Sequence, residues 1–78
     1  MHIEIITPDQ QVFAGETGSV RFPGADGQFE VLDNHAPLIA ALAAGEVVVA
    51  GAGTFRIGGG TVEVLRNRVL VLAESAAA

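Results

Sequence analysis

A chain of 78 residues, half of them hydrophobic and none of them cysteine, has room for one thin core and no means of stapling it with disulfides or thiolate zinc sites. Its formal charge of −5, from nine carboxylates against four cations that are all arginine, excludes the basic patch that nucleic acid requires and suits a basic protein surface instead. The apolar runs, such as Leu38 to Ala44 and Val47 to Ala50, fall far short of the roughly 20 residues of a membrane-spanning helix. The Met-His-Ile-Glu start lacks the basic region and apolar core of a secretion signal, so a soluble, intracellular protein is expected.

Taken in chain order, His2 to Thr7 begins with apolar-polar alternation and stops at Pro8-Asp9, which reads as a strand and a turn. Gln11 to Ala14 is a second short strand, ended by Gly15. From Gly18 to Pro23, Val20 and Phe22 share one face and Ser19 and Arg21 the other, the period-2 signature of a third strand. Gln28 to Val31 repeats the pattern, with Phe29 and Val31 inward and Glu30 outward.

Two turn-forming clusters, Pro23 to Gly27 and Asp33 to Pro37, bracket the apolar run Phe29 to Leu32, and the expected result is a rim loop. That loop gathers Asp26, Glu30, Asp33 and His35, the densest group of ionisable side chains in the chain. Asn34 to Gly45 has an Asn cap, an early Pro, an alanine-rich body and a Gly beyond the end, so local propensity favours a short helix. A helix of two turns is weak without tertiary support, which leaves an extended Leu38 to Leu42 open.

Glu46 to Ala50, turned by Gly51-Ala52-Gly53 into Thr54 to Ile57, is a hairpin of β-branched strands, and Gly58-Gly59-Gly60 is expected to break it. A second hairpin joins Thr61–Leu65 to Val69–Ala73 through Arg66-Asn67-Arg68, where Asn67 is the residue suited to a left-handed conformation. In the last strand Val69, Val71 and Ala73 point one way and Leu70 and Leu72 the other, so both faces are apolar. One fills the core; the other is either covered by the chain itself or open to a partner. Many short strands with glycine at nearly every corner indicate an all-β fold, a flattened sandwich or barrel, with residues 1–78 as one domain.

Chemistry is poorly provided for. His35 beside Asp33 and Glu30 suggests a base oriented by a carboxylate, yet no cysteine exists and Ser19 and Ser75 lie far off in sequence. A turn histidine bonded to backbone explains the same residue. His2, Asp9, Asp33 and His35 have no metal-ligand spacing. Gly51 to Gly60 lacks the Gly-Lys-Ser/Thr ending of a phosphate cradle, and hairpin corners account for its glycines. No cofactor, metal or catalytic residue is expected.

Pro23-Gly24, Asp26-Gly27, Val31-Leu32, His35-Ala36-Pro37-Leu38, Leu42 and Gly45 stand in an order that resembles the signature of the epsilon subunit of F-type ATP synthases, the mitochondrial delta subunit. Thr7-Pro8, Val12-Phe13 and Gly15 before it, and Gly59-Gly60, Val62-Glu63-Val64, Asn67 and Val69 to Leu72 after it, extend the resemblance over essentially the whole chain.

The resemblance implies a β-sandwich of about ten short strands, with Leu38 to Leu42 extended, acting as a non-catalytic part of the rotating central stalk. It implies docking on the gamma subunit and contact with the ring of c subunits through a loop that corresponds to Asp26, Gln28, Glu30, Asp33, Asn34 and His35; the apolar strand surface at Leu70 and Leu72 is expected to be the side that meets gamma. The location implied is peripheral, at the cytoplasmic face of the cell membrane. Gln28 stands at a position often acidic in the family, and Glu30 and Asp33-Asn34 replace a common Gly and Pro-Gly. The sequence ends at Ala78 where relatives commonly continue into a helical hairpin, so coupling without that brake on ATP hydrolysis is expected. A free-standing sandwich that binds a peptide or small ligand through its acidic loop is the alternative.

Overall fold

Alternating apolar residues with glycine and asparagine at the corners produce strands throughout the computed structural model, which describes residues 1–78. Eight strands form: β1 (His2–Ile6), β2 (Gln11–Glu16), β3 (Ser19–Gly24), β4 (Gly27–Leu32), β5 (Leu38–Val49), β6 (Gly53–Leu65), β7 (Arg68–Ala73) and β8 (Ala76–Ala77). No helix is present, so none is long and apolar enough to cross a membrane. The alanine-rich Leu38 to Leu42 is extended, as the family resemblance implied and local propensity did not. Its neighbours explain why, because Leu38 to Leu42 pairs residue by residue with Val64 to Gly60.

The strands number eight rather than about ten because two expected breaks are bends. Leu38–Leu42 and Glu46–Ala50 join in one twelve-residue strand, and Gly58-Gly59-Gly60 runs through the middle of a thirteen-residue strand instead of ending it. Glycine inside a strand marks a bend or a close backbone approach. At Gly60, with φ +151°, an added Cβ would lie 2.1 Å from the Leu72 carbonyl oxygen, and Gly59 has φ +106°. β2 likewise runs through Gly15 to Glu16.

Those bends fold the sheet onto itself. Hydrogen-bonded order is β2-β1-β7-β6-β5-β3-β4, with β8 on β6, and β1 pairs parallel to β7. The second half of β6 and the first half of β5 continue into β7, β1 and β2; the second half of β5 continues into β3 and β4. Inward side chains of both halves meet in one cluster of 16 buried residues, in which Ile3, Ile5, Val62 and Val71 face Val20, Phe22, Val31 and Val47. Two layers result, with a shortest molecular extent of 19 Å.

The crease holds the layers at one end and a set of polar ties holds them at the other. Asn34, at φ 61°, follows β4, and its backbone N–H donates to Asn67 Oδ1 at 2.8 Å. Asn67, also at φ 61°, sits in the β6–β7 turn as its side chain suggested, and its carbonyl accepts from His2 N–H at 3.1 Å. Arg66 joins it at φ 52°, so both central residues are left-handed, the geometry that suits the twist of a two-residue hairpin. Thr17, the one buried polar side chain, places its hydroxyl 2.8 Å from the Ala50 carbonyl and 3.0 Å from that of Ser19.

Candidate functional site

The six residues expected on one rim are not brought together. Asp26 lies in the β3–β4 turn, whereas Asp33, Asn34 and His35 follow the far end of β4. A six-residue strand separates the groups by roughly 20 Å. The rim loop is therefore a hairpin, since Phe29 and Val31 pair with Phe22 and Val20 and hold Phe29 to Leu32 in the sheet. Gln28 and Glu30 are exposed on the outward side of β4, and Glu30 lies directly across from Arg21.

Asp33 and His35 are partly engaged within the chain. The Asp33 carboxylate pairs with the Met1 ammonium, which also donates to the Thr17 carbonyl at 2.9 Å. His35 is half-buried, its Nδ1 donates to the Ala36 carbonyl at 2.7 Å, and its backbone N–H donates to Leu32 O at 3.1 Å. This is the backbone-bonded turn histidine that the sequence allowed. No group of three His, Cys, Asp or Glu side chains is arranged to hold a metal ion.

The outward side of the first layer, formed by β2, β1, β7 and the adjoining halves of β6 and β5, is more coherent. Leu72 is 44% exposed there and Leu70 half-buried, and Val69, Val71 and Ala73 fill the core, so the two faces of β7 divide as the alternation required. Strand register builds three rows across this side. The first is Leu65, Arg68, His2, Glu16; the second is Ile39, Glu63, Leu70, Glu4, Ala14; the third is Ala41, Thr61, Leu72, Ile6.

Ile39 and Leu65 were not picked out from the sequence, although they are 77% and 53% exposed. A signal existed: with Val62 and Val64 inward, Leu65 must point out, and with Leu42 inward, so must Ile39. His2 Nδ1 lies 2.9 Å from Glu16 Oε2, and Gln11 Nε2 donates to Glu4 Oε2 at 2.9 Å, so the polar groups of the face bond mainly to one another.

The opposite outward side, on β3, β4 and the remaining halves of β5 and β6, carries cross-strand charge pairs. Glu30 faces Arg21, and Arg56 Nη2 lies 3.3 Å from Glu46 Oε2. Its one large exposed apolar side chain is Leu32, against three on the first layer.

Fold and surface thus define a class: an all-β sandwich with large exposed apolar side chains gathered, among charged ones, on one outward face and nearly absent from the other. The chain belongs to the ATP synthase delta/epsilon chain family, whose β-sandwich domain matches residues 1–78. It is 43% identical over 76 residues to the ATP synthase epsilon chain of Chlorobaculum tepidum, covering 92% of this chain and 86% of that one. To the ATP synthase epsilon chain of Salinibacter ruber it is 39% identical over 85 residues, 94% of this chain but only 57% of the relative's length. Among solved structures, a chain in the central stalk/c-ring structure of the Tetrahymena thermophila mitochondrial ATP synthase superposes with a TM-score of 0.84 at 13% identity. That match covers 97% of this chain and 64% of the other, and it establishes likeness of fold.

Proposed function

We propose that this chain is a non-catalytic subunit of the rotating central stalk of an F-type ATP synthase, linking the gamma subunit to the c-subunit ring and so coupling ion translocation to ATP synthesis. The observation that carries the reading is the apolar outward face of the first layer, in a chain matched over its full length by the epsilon family. Leu72, Leu65 and Ile39 are too exposed to serve the chain's own core, and several large apolar side chains exposed on one layer suit a protein interface.

In this reading the first layer grips gamma through Leu70 and Leu72, extended by Ile39 and Leu65. The ring is met by the end that carries Asp33, Asn34 and His35, with Glu30 on the adjoining strand; Asp26 and Gln28 approach the other end of the hairpin and contribute less. The task is mechanical, and a thin sandwich suits it because two long strands run unbroken through the crease while hydrogen bonds close the opposite end. The subunit would sit peripherally, at the cytoplasmic face of the membrane that holds the ring.

An affinity-tagged copy, expressed in its own cells and recovered from detergent-solubilised membranes, should bring down gamma and c subunits. Replacing Leu70 and Leu72 together by Asp should release both while the protein stays folded by circular dichroism. Recovery of no ATP synthase subunit by the unmodified chain would overturn the proposal.

A further inference from the structure

Glu63 stands in the middle of this face, in a shallow hollow that Leu65, Leu70 and Arg68 also line, and no salt bridge engages it. Ile39 lies directly across from it on one side and Leu70 on the other, and Leu65 follows two residues along the same strand. The other two carboxylates of the face have side-chain partners: Glu16 lies 2.9 Å from His2 Nδ1, and Glu4 lies 3.9 Å from His2 Nε2 and 4.0 Å from Arg68 Nη2. No cation comes within 4.0 Å of Glu63. In water an exposed carboxylate needs none. Under a docked apolar surface it loses its hydration, and an unpaired charge there opposes association.

Resting on the reading that this face docks on gamma, we propose that the docked surface brings one arginine or lysine side chain to Glu63, framed by apolar side chains over Ile39, Leu65 and Leu70. The apolar neighbours limit water around the pair, and the charge that the chain leaves unmatched decides which surface is accepted. A partner with a carboxylate or a bare apolar patch at that point is rejected, because Glu63 would then be buried beside a like charge or beside nothing. Glu63 is a specificity-determining residue in this account, distinct from Leu70 and Leu72, which supply contact area.

The test is rebinding of the chain to ATP synthase from which this subunit has been removed, read as the half-saturating concentration at low and high salt. Glu63→Gln should raise it roughly 10-fold or more and Glu63→Lys roughly 100-fold or more, the range found when one partner of a desolvated pair is lost or reversed. Reversing one basic residue of gamma to Glu should restore binding of Glu63→Lys and of no other variant. Glu63 is exposed, so both variants should unfold at the same temperature as the unmodified chain. If Leu72→Asp weakens rebinding while Glu63→Lys changes it less than about twofold, or tightens it, the charge proposal is overturned and the docking face stands. If Leu72→Asp has no effect either, the docking face itself is wrong and the proposal falls with it.

Discussion

The two outward faces of this sandwich are built from the same two long strands and have opposite relations to water. On the side of β3 and β4, Arg56 pairs with Glu46 and Arg21 stands across from Glu30, so arginine and glutamate occupy opposing positions and only one large apolar side chain is exposed. On the side of β7 and β1, large apolar side chains recur in successive rows and the central carboxylate is unpaired. Nothing in the core requires that difference, since both layers bury equally regular inward rows. It is therefore surface chemistry set apart from folding, which directs the search for a docking face to one layer.

The largest effect is expected where the faces are joined. Gly60→Ala places a methyl group against the Leu72 carbonyl in a backbone conformation that alanine resists, at the point where β6 passes from one layer to the other. Overpacking and backbone strain together should cost about 3–5 kcal/mol, a large part of the stability of a domain of this size. Urea unfolding followed by circular dichroism measures it. A loss under about 1 kcal/mol would mean the crease is pliant and the two faces are not rigidly coupled.

The end opposite the crease offers a finer test. Asn67→Ala removes both a side chain that tolerates the left-handed region and the oxygen that accepts the Asn34 N–H, and should cost about 1–3 kcal/mol. Asn67→Gly keeps the turn and loses only the tie, so it should cost about half as much. Equal losses from the two would place the whole effect in the hydrogen bond between layers, and a neutral Asn67→Gly would place it in the turn.

Asn67 also illustrates what could be read beforehand. Its left-handed conformation follows from the residue type, and the inward rows of β3, β4 and β7 follow from strict alternation. The crease was not legible in the same way. Glycine triplets signal an interruption, but whether the chain turns back or bends and continues depends on strands elsewhere that accept pairing on both sides of the bend. Here β5 pairs with β6 on both sides, and the Gly58 N–H donates to the Ser75 carbonyl that leads into β8.

The dispersal of the acidic residues has the same origin. Asp26 and Asp33 are close in sequence, and only the pairing of β4 with β3 sends them to opposite ends of a hairpin. The left-handed Arg66 had no signal in its side chain at all. Family resemblance supplied the extended Leu38 to Leu42, where local propensity favoured a helix. For the docking face, Leu70 and Leu72 were visible from alternation, whereas the row joining them to Ile39 and Glu63 required the register of β5 and β6.

The smallest effect should come from the charged face, and its smallness is what gives it value. Arg56 Nη2 and Glu46 Oε2 are 3.3 Å apart on side chains more than half exposed, so Arg56→Ala should cost only about 0.2–1 kcal/mol, and less in high salt. Arg56→Glu removes the attraction and adds a like charge, which disturbs stability by a similar modest amount. Neither change touches the apolar layer, so co-recovery of ATP synthase subunits should match that of the unmodified chain. An Arg56→Glu chain that folds normally yet releases those subunits as fully as Leu72→Asp would show that charge on the β3–β4 side is part of the contact. The contrast between a self-sufficient face and a docking face would then have to be given up.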